Sequence, residues 1–238
     1  MRVILAGNPS PWTGPTGNNT YLLPGRVPAL IDAGVGNASH LDEVAAALGG
    51  RPLSVVLLTH DHPDHAGGLP AIAERWPSVR IVRSAGDPVA AGDGFLRAIP
   101  TPGHAPEHLC FHDETSGDLY CGDLVRKGGT IVIPASRGGN LRRYLESLRQ
   151  VRSLSPRRLL PGHGPIIDNP PVIIDQYLRH RAEREKQIIE ALRDGLTTAE
   201  SIAARVYGTL PEPLARAAAD SVEAHLVKLK DDEEKNAN

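Results

Sequence analysis

Hydrophobic and polar positions alternate along this chain in two textures. Up to about residue 165, short apolar runs are closed off by Gly, Pro or Asn. Val3–Ala6, Thr20–Leu23 and Ala29–Ile31 are of this kind and predict strands joined by turns. Ser39–Leu48 takes helical spacing, with Ser39 as N-cap and Gly49-Gly50 as the stop. Val55–Leu58 predicts a buried strand that runs directly into Thr59-His60, and Leu69–Trp76 a second helix ended by Pro77. Val79–Val82, Leu96–Ile99, Leu109–His112 and Asp118–Cys121 continue the strand series. Leu141, Tyr144, Leu145, Leu148 and Val151 are spaced by three and four, the apolar stripe of a helix capped by Asn140. Arg158–Leu160 is the last expected strand.

Beyond Pro170-Pro171 glycine is rare and the chain reads as helices over Val172–Asp194, Thr198–Tyr207 and Leu214–Leu229. Interleaved strands and helices predict an α/β core of packed layers over residues 1–175. Residues 176–238 predict a small helical domain, with the acidic Asp231–Glu234 run as a solvated end.

Composition narrows the classes. Of 238 residues, 40% are hydrophobic and 23% charged, which excludes wholesale disorder. The net charge of −2 supplies no global field for a polyanion or an anionic membrane. No apolar run approaches the roughly 18 residues of a membrane helix. The first residues reach Gly7 and Pro9 too soon for a secretory signal, so the expected compartment is cytoplasmic. Cys110 and Cys121 lie in strand-like runs and read as buried thiols rather than a disulfide framework.

The chemistry concentrates in Thr59-His60-Asp61-His62-Pro63-Asp64-His65, where a strand stops and a helix begins. Alternation puts His60 and His62 on one side, while Asp64 and His65 follow the turn at Pro63. Imidazole and carboxylate suit Zn²⁺ and similar ions. Two histidines at spacing two followed by an Asp-His pair offer ligands to two ions. His104, Asp123 and His163 sit in Gly-His, Gly-Asp and Pro-Gly-His-Gly turns after strands. Five histidines and two aspartates suffice for a binuclear centre with one bridging carboxylate. His108, four residues after His104, is a candidate support for the ligands. His40, His180 and His225 fall on predicted helices and are expected to face solvent.

With these turns, the H-x-H-x-D-H segment resembles the metallo-beta-lactamase superfamily, and most closely its beta-lactamase-like protein two group. The closer resemblance rests on Asn8-Pro9, Asn19-Thr20-Tyr21-Leu22, Thr101-Pro102-Gly103-His104, Tyr144-Leu145-Glu146-Ser147-Leu148, Pro161-Gly162-His163-Gly164-Pro165 and Tyr177-Leu178-Arg179-His180-Arg181. It implies a four-layer αβ/βα sandwich with a C-terminal winged-helix-like domain. It implies one metal on His60, His62 and His104, a second on Asp64, His65 and His163, and Asp123 bridging. Asp64 and Asp123 are then the catalytic carboxylates, and Asn19 and Tyr21 supporting or substrate-binding residues. The chain departs from the group at Asn18, where a Thr is usual. The stretch between Val82 and Phe95 is short, and no strand pair is evident to form a wing.

The resemblance implies a hydrolase with two Zn²⁺, iron or manganese being alternatives, in which a metal-bridging hydroxide attacks the substrate. Characterised members of the group cleave single-stranded RNA, so a phosphodiester is the leading expected substrate. Small acyl compounds (lactones, thioesters, esters or a beta-lactam) are the alternative. An iron oxidoreductase on the same fold is a further one. Residues 126–158 carry nine basic residues, Arg142 and Arg143 among them, against Glu146 alone. Such a patch suits a phosphate backbone, though the preferred reading makes Arg142, Arg143, Arg149 and Arg152 the solvated face of an amphipathic helix. Residues 179–238 hold ten basic and twelve acidic residues, which argues against DNA binding. No membrane association is expected, and the sequence does not set the oligomeric state.

Overall fold

Alternation along the strands sorts the side chains into layers. The computed structural model describes residues 1–236. Strands β1 (Arg2–Leu5), β2 (Asn19–Leu23), β3 (Ala29–Ile31), β4 (Val55–Leu57) and β5 (Arg80–Val82) form one sheet in that order. The β1–β2 and β2–β3 pairs are antiparallel, and β3–β4 and β4–β5 parallel. A second sheet has the order β10-β9-β8-β7-β6, built from β6 (Val89–Ala91), β7 (Gly94–Pro100), β8 (Leu109–Asp113), β9 (Asp118–Gly122) and β10 (Arg158–Pro161). Only β9–β10 is parallel there.

Tyr21, Ile31, Val55 and Leu57 of the first sheet meet Leu96, Phe111, Tyr120 and Leu160 of the second in the central core. The intervening positions Leu22, Leu30 and Val56 face the other way. They pack under α1 (Ala38–Leu48) and α3 (Leu69–Arg75) through Leu41, Val44, Leu48, Leu69 and Ile72. Cys110, Leu119, Cys121 and Leu159 do the same under α4 (Leu141–Leu154), against Tyr144, Leu148 and Val151. The period of two thus produces helix, sheet, sheet, helix, the expected αβ/βα sandwich. Both cysteines are free and buried in it.

Asn140 caps α4 as expected, its side chain accepting from the Arg143 N–H. Helix α1 starts instead at Ala38 after Asn37, and Ser39 is not its cap. Asn37 Nδ2 donates to the carbonyls of Ala6 and Gly7, tying the helix to the end of β1. Strand β6, absent from the expectation, pairs with β7 across a tight hairpin.

The expected boundary at 175/176 falls inside α5 (Pro170–Arg193), which is continuous. Its first half, through Ile174 and Tyr177, belongs to the α4 core. Its second half, through Ile188 and Ala191, packs with α6 (Ala199–Tyr207) and α7 (Glu212–Asn236). Thr198 caps α6 by accepting from the Ser201 N–H. Among the described residues no strand follows Pro161, so the C-terminal unit presents helices without a strand pair. Among the described residues no helix is long and apolar enough to cross a membrane.

His40 and His225, expected at the surface, are buried. His40 Nε2 lies 2.8 Å from Thr20 Oγ1, and His225 Nδ1 faces Glu185 at 3.4 Å. Each helix turns its histidine inward to a polar partner, a choice that spacing does not reveal.

Candidate metal centre

All seven candidate ligands converge where β4, β9 and β10 end. Strand β4 stops at Leu57, the chain bends at Thr59, and His62 is extended before Pro63 starts the single turn α2 (Pro63–Ala66). Proline at the first helical position fixes φ where no N–H is needed. This places His60 and His62 before the helix and Asp64 and His65 in its first turn.

Three imidazole nitrogens meet on one side. His62 Nδ1 lies 3.0 Å from His60 Nε2 and 2.9 Å from His104 Nε2. The partners of the far nitrogens settle the tautomers. His104 Nδ1 donates to the Val132 carbonyl at 2.7 Å. His60 Nδ1 faces Thr59 Oγ1 at 3.0 Å, and that hydroxyl donates to Asp32. Both Nε2 atoms therefore present lone pairs to His62 Nδ1, which carries at most one proton for them. Burial lowers the pKa of all three, that of His62 to about 4, so they are neutral donors at pH 7. Three neutral nitrogens crowded this way fit a cation of the zinc type.

The second group is Asp64, His65 and His163. Asp64 Oδ2 lies 3.5 Å from His65 Nε2 and 3.4 Å from His163 Nε2. Asp123 stands between the groups. Its Oδ2 is 3.5 Å from His104 Nε2, and its Oδ1 is 3.2 Å from His163 Nε2 and 3.6 Å from His65 Nε2. Burial alone would lower His65 and His163, but the facing carboxylates overcome it and raise them to about 9 and about 10. Burial would raise Asp64 and Asp123, but the facing histidines hold both well below the usual carboxylate range. A donor set of three imidazoles, a second set of two imidazoles and a carboxylate, and one carboxylate between them fits two divalent ions.

Two glycines make the convergence possible. A Cβ on Gly162 would stand 2.5 Å from His65 Cε1. Gly103, with φ 140°, packs so closely on α4 that a Cβ would meet Tyr144 Cα at 2.3 Å.

The supporting residues behave differently from one another. Asn19 Nδ2 donates to the carbonyls of Pro161 and Gly164 at 2.9 and 2.8 Å, and its N–H to Gly162 O at 2.8 Å. Tyr21 Oη donates to Pro161 O at 2.7 Å. Both brace the turn that carries His163. His108 Nε2 accepts from the Asp123 N–H at 3.2 Å, and its Nδ1 faces Thr101 Oγ1 at 2.8 Å. Burial pushes His108 down to about 3, so it is a neutral prop for Asp123. Arg142 and Arg143 contact none of the ligands. The Arg142 guanidinium pairs with Asp232 of α7, and the Arg143 side chain is exposed.

Sequence reasoning missed Asp32 and the role of Asn18. Asp32 follows β3 with φ 59° and is buried. It accepts from His65 Nδ1 at 2.7 Å and from the Thr59 N–H and hydroxyl at 2.8 and 2.9 Å. It thereby aims His65 Nε2 into the site. Its signal is an Asp in an Ile-Asp-Ala-Gly turn leaving a strand that pairs with β4. Asn18 Nδ2 donates to Asp64 Oδ2 at 3.1 Å, while Asn8 Nδ2 donates to Asn18 Oδ1 and Asn8 Oδ1 accepts from the Asn18 N–H. Asp32→Asn tolerates the backbone conformation but removes the charge. It should weaken binding of one of two metal ions about 10–100-fold while the other binds normally, as read by chelator competition.

Comparison with known proteins adds the following. A model of the "Metallo-beta-lactamase superfamily" matches residues 13–90 and 78–163, and one of the "Beta-lactamase associated winged helix domain" matches 198–234. The "Lactamase-like protein nscB" of Trichophyton rubrum is 37% identical over 96% of this chain and 79% of its own length. The "Beta-lactamase-like protein 2 homolog" of Caenorhabditis elegans is 32% identical over 95% of this chain and 82% of its own. The "Atrochrysone carboxyl ACP thioesterase" of Aspergillus chevalieri is 32% identical over 90% and 75%. The crystal structure of a metallo-beta-lactamase family protein from Thermus thermophilus superposes with a TM-score of 0.80 at 22% identity, covering 98% of this chain and 93% of that one.

Proposed function

The chain belongs to the metallo-beta-lactamase superfamily and is a metallohydrolase, and from that premise we propose that it hydrolyses acyl thioesters at a two-zinc centre. We assign His60, His62 and His104 to one ion, Asp64, His65 and His163 to the other, and Asp123 to the bridge. One observation carries the assignment: the two Asp123 oxygens face different groups, Oδ2 towards His104 and Oδ1 towards His163. When bound, such ions supply an activated water at neutral pH and polarise the carbonyl under attack. Around them, Asp32 and the Val132 carbonyl orient His65 and His104, and the N–H contact with His108 fixes Asp123. We place the catalytic unit in residues 1–175 and the helical unit in 176–238, with α5 shared between their cores.

Three observations favour a thioester over RNA. A relative similar along most of the chain carries a thioesterase name. Four of the nine basic residues are paired: Arg142 with Asp232, Arg152 with Asp175, and Arg157 and Arg158 with Asp118. Asp64 and Asp123 are held ionised and His108 neutral, and His65 and His163 give up their protons on becoming ligands, so none of these groups is left as an acid. A thiolate, of ordinary pKa about 8.5, departs without a proton donor more readily than a far more basic ribose alkoxide does. A nucleophilic cysteine has no place here either, because burial pushes Cys110 to about 12.

The test is a substrate panel with protein purified without chelator. Thiol release from a coenzyme A thioester should exceed cleavage of single-stranded RNA or a lactone, vanish with chelator and return with zinc. Elemental analysis should find about two zinc ions per chain. Faster turnover of RNA would overturn the thioester reading. One ion or fewer after zinc addition would overturn the binuclear one, and stoichiometric iron with visible absorption would replace zinc.

A further inference from the structure

Beside the centre lies a cavity of about 480 Å³, in the size range of small-ligand sites. None of the seven ligands lines it, yet three segments supply both a wall and a residue of the centre. Asn19 follows Asn18, Gly164 follows His163, and Arg126 stands three residues after Asp123.

One wall is apolar. The β1–β2 register sets Val3 opposite Tyr21 and Leu5 opposite Asn19, so all four face the cavity side of the sheet. Val3 is 41% and Leu5 43% exposed, and Ile166 lies among the other lining residues. The strand face that lines the cavity thus offers two partly exposed apolar side chains for a ligand to cover.

Cations form the other wall. Arg126 Nη1 donates to the Trp12 carbonyl at 2.8 Å, and the Arg126 backbone binds the Tyr177 hydroxyl. The guanidinium thus has a neutral carbonyl as its partner. Lys127 beside it is exposed. Among the described residues neither has a carboxylate partner, unlike Arg142, Arg152, Arg157 and Arg158 in the same basic stretch. Charge left unpaired at one end of an apolar cavity suits an amphiphilic ligand with an anionic terminus.

We propose that this cavity holds the thiol arm of the thioester substrate, a pantetheine-type chain whose phosphate pairs with Arg126 and Lys127. The inference rests on the thioesterase reading and deepens it. The arm runs along Val3, Leu5, Tyr21 and Ile166, and the carbonyl to be attacked lies at the metal centre. The acyl group does not select this site; the phosphate and the arm do.

The experiment compares two thioesters of the same acyl group, one on coenzyme A and one on N-acetylcysteamine, which lacks the phosphate. Lys127→Ala should lower the ratio of their kcat/KM values about tenfold, chiefly through KM for the coenzyme A ester, and Lys127→Arg should restore it. Leu5→Asp, at an exposed edge position, should lower the same ratio with the melting temperature kept. A non-hydrolysable coenzyme A thioether should bind the holoenzyme in calorimetry, and Lys127→Ala should weaken it by a similar factor. An unchanged ratio and unchanged thioether binding would overturn the cavity assignment while leaving the thioesterase reading intact. Lys127-dependent thioether binding without turnover of either ester would overturn the thioesterase reading and leave the cavity assignment standing. Single-stranded RNA that displaces the thioether, with its own binding dependent on Lys127, would show a nucleic-acid site and overturn the proposal.

Discussion

Zinc added stepwise to the chelator-stripped protein should enter in two events that differ sharply in their dependence on pH. The first ion meets His60, His62 and His104, which burial holds neutral, so it displaces few protons at pH 7. The second meets His65 and His163, which Asp32, Asp64 and Asp123 raise to about 9 and about 10 against the effect of burial. Both carry protons at pH 7, and both must lose them to become ligands. A histidine with a raised folded pKa favours the metal-free fold below its unfolded value near 6.5 and loses that advantage as pH rises through the folded value. Second-ion affinity therefore climbs with pH, by about tenfold per unit for each proton and about a hundredfold for two. The climb flattens below the metal-free values of about 9 and about 10, because the first ion's charge beside Asp123 lowers both histidines, whereas first-ion affinity is nearly flat above pH 6. Calorimetry in two buffers of different ionisation enthalpy reads the released protons directly. Equal proton release in the two events would contradict this account of the site.

The layers of the fold were legible because burial in a sandwich imposes a period of two. Leu30 between Ala29 and Ile31, and Cys110 between Leu109 and Phe111, face opposite layers in the structure as alternation requires. Strand β6 was not legible: Val89–Ala91 follows Asp87-Pro88 and precedes Gly92, so it reads as a turn until β7 pairs with it. The start of α1 was misplaced because Asn37 binds the Ala6 and Gly7 carbonyls rather than capping the helix, a contact made by tertiary packing.

Candidate ligands were legible because their spacing is local or set by a Gly-containing turn. Asp32 was not, since it depends on β3 and β4 lying parallel, which brings Asp32 beside Thr59 across 27 positions of chain. Its positive φ and its burial are likewise properties of the fold, and an isolated aspartate after a strand carries no mark of either. How far the basic stretch is paired was not legible for a related reason. Its neutralising partners Asp118, Asp175 and Asp232 lie on other elements, and α5 and α7 must dock before Arg152 and Arg142 find theirs.

Asp123→Asn should leave the fold and abolish turnover, with a loss on the order of a thousandfold or more. The substitution keeps the size of the side chain and one carbonyl oxygen. It removes a negative charge from between two groups that would each hold a dication, and it replaces one of two facing oxygens by an amide that cannot accept. Two cations then repel with nothing between them, and the second should bind weakly. The variant also tests the electrostatics independently of activity. Asp123 is the first charge that raises His163 and, after Asp32, the next that raises His65. Without it both histidines should fall back towards ordinary values, and the proton release on loading the second site should shrink. Weaker second-ion binding with a flatter pH dependence is thus the expected pair of results, read by calorimetry on a variant whose melting temperature confirms folding. His108 supplies a control. Its one hydrogen bond to Asp123 is to the backbone N–H, and its other ring nitrogen faces Thr101, so His108→Gln should reduce turnover by a smaller factor, about 10–100-fold, while retaining the pH dependence of loading. Near-normal turnover in Asp123→Asn would reduce Asp123 to a turn residue, and the two-metal assignment would lose the group that joins its halves.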